Sequence, residues 1–264
     1  MAKECKFQNG FTMVELAVVI ILIGLLTSGI FWGLQLLKTS RLSATHVHAK
    51  IYAHALKEFI QKYDALPGDM ANARTRLNAC ANSLAGACGN GNGNGVIGRT
   101  DQDIFYAAPP GSGEEDETTL FWYHLQAADF IEDILLSSPL DGNALWGENH
   151  PKAPAGGGYH IRSMGGLVAG PGNENMKGVF LRWQATPYVN ANTNEGYSAT
   201  PADAFYIDNK FDDGNPLAGP VQARGTGQGL TGNDGCRRDS NSYIEDSHEI
   251  SCYMYFKIRN MAGL

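Results

Sequence analysis

Gly10-Phe11-Thr12-Met13-Val14-Glu15 places a carboxylate at the head of an apolar run that holds no other charge before Lys38. A carboxylate at bilayer depth is costly, so an acid in such a run is a functional candidate by default. Glu15 stands five residues after a glycine suited to peptide cleavage. A cut after Gly10 would free an α-ammonium on Phe11. Unpaired, an ammonium and a carboxylate are each costly in lipid, and pairing offsets part of both costs. A helix N-terminus adds its own preference for negative charge nearby. The chemistry available here is hydrolysis of one peptide bond, then ion pairing between Glu15 and Phe11. That pairing links neighbouring chains or, in the simpler reading, lets Glu15 satisfy its own helix end.

Three further groups have the residue types and spacing for chemistry. Asp208, Asp212, Asp213 and Asn215 offer hard oxygens within eight residues, as a calcium loop does. The same stretch holds Asp213-Gly214 and Asn215-Pro216, ordinary turn formers, and a plain turn is favoured over calcium. Asn90, Asn92 and Asn94 stand at positions 1, 3 and 5 of an EF-hand-like loop, with Gly95 at 6 and Asp101 at 12. One carboxylate in that frame gives poor affinity, so a Gly/Asn turn is favoured there too. Of the five cysteines, Cys5 precedes the cleavage point, which leaves four with three possible pairings. Proximity favours Cys80 with Cys88 and Cys236 with Cys252, and both bonds require an oxidising compartment. No CxxC spacing supports a metal site instead. Gly-x-Ser-x-Gly, HExxH and a phosphate-binding loop are all absent, so no catalytic residue is assigned and the chain reads as a non-enzyme.

Positioning these residues requires long elements. Residues 11–37 form an apolar run whose helix would span about 40 Å, against a hydrocarbon core of about 30 Å. Lys3 and Lys6 hold the polar end on the cytoplasmic side. An ordinary secretory signal is cut after its apolar stretch, whereas here the cut precedes it and the helix is retained. From Ser40 to Tyr63, Leu42, Ala49, Ala53, Leu56, Ile60 and Tyr63 keep helical steps, with Arg41, Lys50, Lys57 and Lys62 on the other side. One long helix therefore begins in the membrane and ends near Asp64, before Leu66-Pro67-Gly68. His46, His48 and His54 on its second half have surface or packing roles. A second helix is expected over 118–133, with His124 at the core edge, and strands over 159–163, 179–186, 204–209 and 253–259.

The chain has 264 residues and a net charge of -7, an acidic balance that argues against nucleic acid as a default partner. Its charged fraction of 18% and its 32 glycines suit a loop-rich extracellular domain better than a cytosolic enzyme.

Gly10-Phe11-Thr12-Met13-Val14-Glu15-Leu16, followed by Ala17-Val18-Val19-Ile20-Ile21, resembles the type III leader and helix start of the type IV pilins and pseudopilins. The resemblance implies that a membrane aspartyl prepilin peptidase cuts between Gly10 and Phe11 and methylates the new Phe11 amine. Glu15 would be the fifth mature residue, which the family uses with Phe11 for assembly. The family often carries a proline further along this helix; here Gly24, Gly29 and Gly33 stand there instead, suited to local melting or to close packing. Tyr63-Asp64-Ala65-Leu66-Pro67-Gly68-Asp69 resembles a turn of larger bacterial pilin-like proteins, and some pseudopilins hold calcium near the C-terminus.

The implied fold is α+β, with a long N-terminal helix, transmembrane in its first half, packed on an antiparallel sheet. The implied organisation is a leader at 1–10, a transmembrane assembly helix at 11–38 and a pilin-like periplasmic or extracellular domain at 39–264. The implied function is a structural subunit of a type IV pilus-like filament. Its partners would be copies of itself or related pilins, prepilin peptidase and an inner-membrane assembly platform. It would wait as a single-pass inner-membrane protein before joining a cell-surface pilus. The alternatives are a pseudopilin of a type II secretion system, in a periplasmic pseudopilus, and a non-polymerising membrane-anchored binding protein.

Overall fold

The computed structural model describes residues 11–81, 88–98, 117–135, 145–165, 176–186, 196–225 and 234–260. Gly10, the rest of the leader, Asp101 and the acidic stretch 109–116 lie outside them. The chain divides into two compact units, Met1–Arg41 and Leu42–Leu264.

Helix α1 (Met13–Tyr63) runs for 51 residues through both. It stays helical at Gly24, Gly29 and Gly33, where a Cβ would meet nothing within 4 Å. It stops where the sequence said it should. Asp64 donates its N–H to Ile60 O at 2.8 Å and takes a left-handed φ of 48°, and Pro67 follows. Gly68 then adopts φ 87° in the turn, and a Cβ there would strike the Glu117 carbonyl.

From residue 42 onward α1 buries Leu42, Thr45, His46, Ala49, Tyr52, Ala55, Leu56 and Phe59. This stripe is rotated from the expected one, since Ala53, Ile60 and Tyr63 are only half-buried. Residues with a polar tip account for the difference. Tyr52 OH donates to Asp133 Oδ2 at 3.0 Å, Tyr159 OH donates to the Thr45 carbonyl at 2.7 Å, and His46 stacks on Phe211 with centroids 4.1 Å apart. Each buries its apolar body while its polar atoms keep a partner or sit against a ring.

Two short helices follow, α2 (Ala73–Arg76) and α3 (Asn78–Ala81), then α4 (Glu117–Ala127). Helix α4 is shorter than the expected 118–133, because Asp129 turns left-handed at φ 62° and Phe130 N–H closes back on Leu125 O at 3.0 Å. Ile131 and Ile134 still reach the core from the extended chain beyond.

Strands β1 (Gly158–Gly165), β2 (Lys177–Gln184), β3 (Val221–Arg224) and β4 (Tyr253–Arg259) form an antiparallel sheet in the order β1-β2-β4-β3. One face aligns Tyr159, Trp183, Met254 and Ala223 in a row, with Ile161, Leu181, Phe256 and Val221 in the next, and this face joins the core cluster with α1. The opposite face carries His160, Arg182, Tyr255 and Gln222 and is also buried.

Helix α5 (Pro201–Phe211) replaces the strand expected over 204–209. Thr200 Oγ1 accepts the Asp203 N–H at 3.2 Å and Pro201 occupies the first turn, which starts a helix. Ala204 and Ile207 then fall on one buried face.

The core buries four histidines as neutral rings. Burial, with Lys50 nearby, pushes His46 down to about 4. Burial pushes His124 to about 4 and His150 to about 3. His160 is driven well below its ordinary value by burial, then by His150 and Arg182. In the unfolded chain these rings titrate near about 6.5, so unfolding takes up protons below that pH. Stability is therefore full above about pH 6.5 and declines as pH falls toward these depressed values. Thermal melts should show Tm falling between pH 7 and pH 4.5, with a shallower fall in a His46→Phe variant that keeps the stack on Phe211. Identical slopes would remove the burial argument.

Candidate functional site

Thr12 and Glu15 form the first turn of α1. Thr12 N–H and Thr12 Oγ1 each donate to Glu15 Oε2 at 2.9 Å, and Glu15 N–H donates to Thr12 Oγ1 at 3.2 Å. This is a capping box, Thr at the N-cap and Glu three residues on, and it satisfies two helix-end donors reciprocally. Thr12 was not singled out from the sequence, although T-x-x-E ahead of an apolar run is the signal for it. Glu15 thus satisfies its own helix end, the simpler of the two readings. Both bonds use one oxygen, and Oε1 makes none among the described residues.

Residues 11–38 are exposed throughout, including Phe11, Leu25 and Trp32. A helix apolar on every side requires lipid or other helices around it. Helix α1 is long and apolar enough to cross a membrane. Gly10, the proposed cleavage residue, lies outside the described residues, and Phe11 is the first of them.

Residues 5–31 match the family model for the prokaryotic N-terminal methylation motif. The chain therefore carries a prepilin motif of the type IV pilin and pseudopilin kind, which points to a structural protein and fits membrane anchoring before assembly. With this motif, the long apolar helix and the four-stranded antiparallel sheet make an α+β arrangement as in pilins. Comparison with curated proteins and with solved structures gives no significant match.

Cys80–Cys88 and Cys236–Cys252 are bonded, the pairs that proximity favoured. The second ties β4 to the loop before it. There Asp234, buried, accepts the Gly225, Cys236 and Arg237 N–H groups and pairs with the Arg237 guanidinium at 2.6 Å.

Asp101, the twelfth position of the EF-hand frame, lies outside the described residues, and the three asparagines before it are engaged with backbone. Asn90 Oδ1 accepts the Arg74 N–H, Asn92 Oδ1 the Asn94 N–H and Asn94 Oδ1 the Val96 N–H. Each side-chain oxygen is turned onto backbone. Two buried acids hold the loop instead. Asp69 accepts the Asn94 and Gly95 N–H groups, and Glu117 those of Asn92 and Gly98. His124 Nδ1 accepts the Gly68 N–H at 2.8 Å, so its Nε2 donates to Gly89 O at 2.9 Å. The sequence placed His124 at the core edge; it is fully buried and bridges two loops.

Asp208, Asp212 and Asp213 do converge, with one carboxylate oxygen of each within 4.8 Å of the others. Asn215, the fourth residue expected there, is engaged in hydrogen bonds of its own. Its Oδ1 accepts the Leu217 N–H at 3.2 Å, an Asx turn across Pro216, and its Nδ2 donates to Asn241 Oδ1 at 3.3 Å. Tyr243 OH donates to Asp208 Oδ2 at 2.6 Å, Val221 N–H to Asp212 Oδ2 at 2.8 Å, and Asn215 N–H to Asp213 Oδ1 at 2.8 Å. Burial pushes Asp208 up to about 7 against the Tyr243 bond, and Asp212 and Asp213 add to the rise.

A raised carboxyl favours the folded state most when protonated. Its contribution is present below about pH 4 and is lost as pH rises through about 7. Asp208→Asn keeps an acceptor for Tyr243 without the charge. Its stability relative to the native protein should increase between pH 5 and pH 8 in paired thermal melts. A constant difference across that range would mean Asp208 ionises without strain.

Proposed function

We propose that this chain is a structural subunit of a type IV pilus-like filament. Prepilin peptidase cuts between Gly10 and Phe11 and methylates Phe11, and the mature subunit is drawn from the inner membrane by an assembly platform. Its domain stands in the periplasm until the filament carries it to the cell surface. The observation that carries this reading is the capping box with one carboxylate oxygen left over, inside a prepilin motif, on a helix exposed along its whole apolar length. Oε2 holds the helix end, and Oε1 remains for a Phe11 ammonium of a neighbouring copy. Pairing there sets axial register, because a one-residue slip leaves both charges unpaired in an apolar surround.

A pseudopilin of a type II secretion system keeps the same N-terminal chemistry and is the second reading. A membrane-anchored binding protein that never polymerises is the third. Imaging of sheared surface fractions with an antibody to the C-terminal domain separates the first two.

Mass spectrometry of the assembled form should find a chain beginning at methylated Phe11, and an intact Met1 would contradict processing. Glu15→Gln keeps an acceptor for the capping box and removes the charge. A charge left unpaired at the centre of an apolar helix costs about 2.5–3.5 kcal/mol, so filament yield should fall roughly a hundredfold. Yield unchanged in both Glu15→Gln and Glu15→Ala would support the non-polymerising anchor.

We also propose calcium as the ligand of Asp208, Asp212 and Asp213. Three converging carboxylates, one with its proton held near pH 7, offer the hard oxygens calcium takes, though fewer residues than the six to eight ligands of a full site. Millimolar calcium should raise the Tm of the native protein and leave Asp208→Asn unmoved. No shift in either would leave the loop as a turn.

A further inference from the structure

The unit Leu42–Leu264 carries opposite charge on the two flanks of α1. One flank opens into a groove of about 500 Å³ with Leu56, Ile60 and Ile258 among its floor and Lys50, Lys57 and Arg259 on its rim. The other opens into a groove of about 340 Å³ where Ile51 and Ile131 lie beside Asp129, Glu132 and Asp133. At about 100° per residue, the Lys50–Ala53–Lys57 line and the His48–Ile51–Tyr52 line lie on roughly opposite sides of the helix. The buried stripe runs between them on one side, and exposed Val47 and Ile51 lie toward solvent on the other.

Lys50, Lys57, Arg259, Asp129 and Glu132 make no ion pair among the described residues. Asp133 accepts the Tyr52 hydroxyl. On the basic flank Glu58 faces His54 at 3.4 Å, and Lys50 acts electrostatically on Asp212. A chain of net charge -7 repels its own copies on approach unless opposite patches meet. A two-fold contact through either flank would set like charge on like charge. A head-to-tail contact matches the two flanks, and contacts of that kind propagate into rings or helical filaments.

We propose that the basic groove of one copy receives the acidic edge at residues 129–133 of the next, in a contact repeated along the assembly. The identity of the occupant as a second copy rests on the filament reading above; the charge pattern itself does not. The partner edge is acidic at Asp129, Glu132 and Asp133 and apolar at half-buried Phe130, which suits a groove with a cationic rim and an apolar floor.

The test is zero-length carbodiimide coupling on intact filaments grown from mixed light and nitrogen-15-labelled cells. Amide links between Lys57 or Lys50 of one isotope and Glu132 or Asp129 of the other are expected. Links joining other residue pairs, with these absent, overturn the contact. In parallel, Lys57→Glu and Glu132→Lys alone should each lower filament yield roughly tenfold or more, with recovery in the double variant. Thermal melts establish that each variant folds, and the coupling experiment on the native chain stands even where one does not. Filaments that survive both single reversals also overturn the contact. If no filament forms from the native chain and Glu15→Gln changes nothing, the filament reading itself has failed and this contact falls with it.

Discussion

A backbone in hydrocarbon has no water to bond, so it must satisfy its own N–H and C=O groups. Helix α1 does this without a break from Met13 to Tyr63. A helix cannot satisfy its two ends, and the end that falls in the apolar segment here is the first turn, whose donors have no carbonyl behind them. Thr12 and Glu15 supply acceptors at that turn. The same helix then changes surroundings near Arg41. Before that point its side chains are apolar on every side, and after it one stripe enters the core while lysines take the other side. One continuous element thereby joins a segment long and apolar enough to cross a membrane to a folded domain, and its sequence pattern changes between the two.

The domain closes around that helix through polar interiors as much as apolar ones. Thr45 is the clearest instance. Its hydroxyl oxygen accepts the Ala155 N–H and its carbonyl accepts the Tyr159 hydroxyl, so a mid-helix polar residue fixes both the β1 strand and the turn before it. Asp69, Glu117 and Asp234 play the same part for loops. Each is a buried acid that accepts backbone N–H groups, which hydrogen-bonds the charge and orders chain that has few apolar side chains to bury. In a protein with many glycines and long loops, these acids and two disulfides replace the packing that short loops would supply.

The N-terminal motif, the long helix, its end at Asp64 and three of the four strands were legible in the sequence, because each is written in local residue order. Helix α5 was misread. Phe205-Tyr206-Ile207 looks strand-like by residue type, while the deciding signal was Thr200-Pro201 just upstream. The end of α4 was misread because Asp129 in a left-handed conformation leaves no glycine to mark it. β3 is only four residues long and depends on β4, more than 28 positions on in the chain, to exist at all. The loop-holding role of Glu117 lay beyond sequence reasoning for the same reason, since its donors Asn92 and Gly98 are 25 and 19 residues away. The capping box is written in local order as Thr12-x-x-Glu15, where the lone charge of Glu15 in an apolar run is the louder signal.

That spacing bears on why the position is Glu. A capping box accepts Glu or Gln three residues after the cap, since a single side-chain oxygen is enough to bond the N-cap N–H. The helix dipole favours a charge in the first turn by only about 0.3–1 kcal/mol, too little to account for a carboxylate in an apolar surround. A full negative charge in an apolar surround raises the cost of the site, and Thr12 lowers that cost on one oxygen only. The remaining oxygen keeps the demand for a cation. In the uncut chain the Phe11 nitrogen is an amide and cannot meet it; the cut proposed above would turn that nitrogen into an ammonium. A carboxylate half-satisfied by its own helix is thus held in one orientation with its second oxygen unused among the described residues, and in the filament reading proposed above the cation that meets it is one that processing would create.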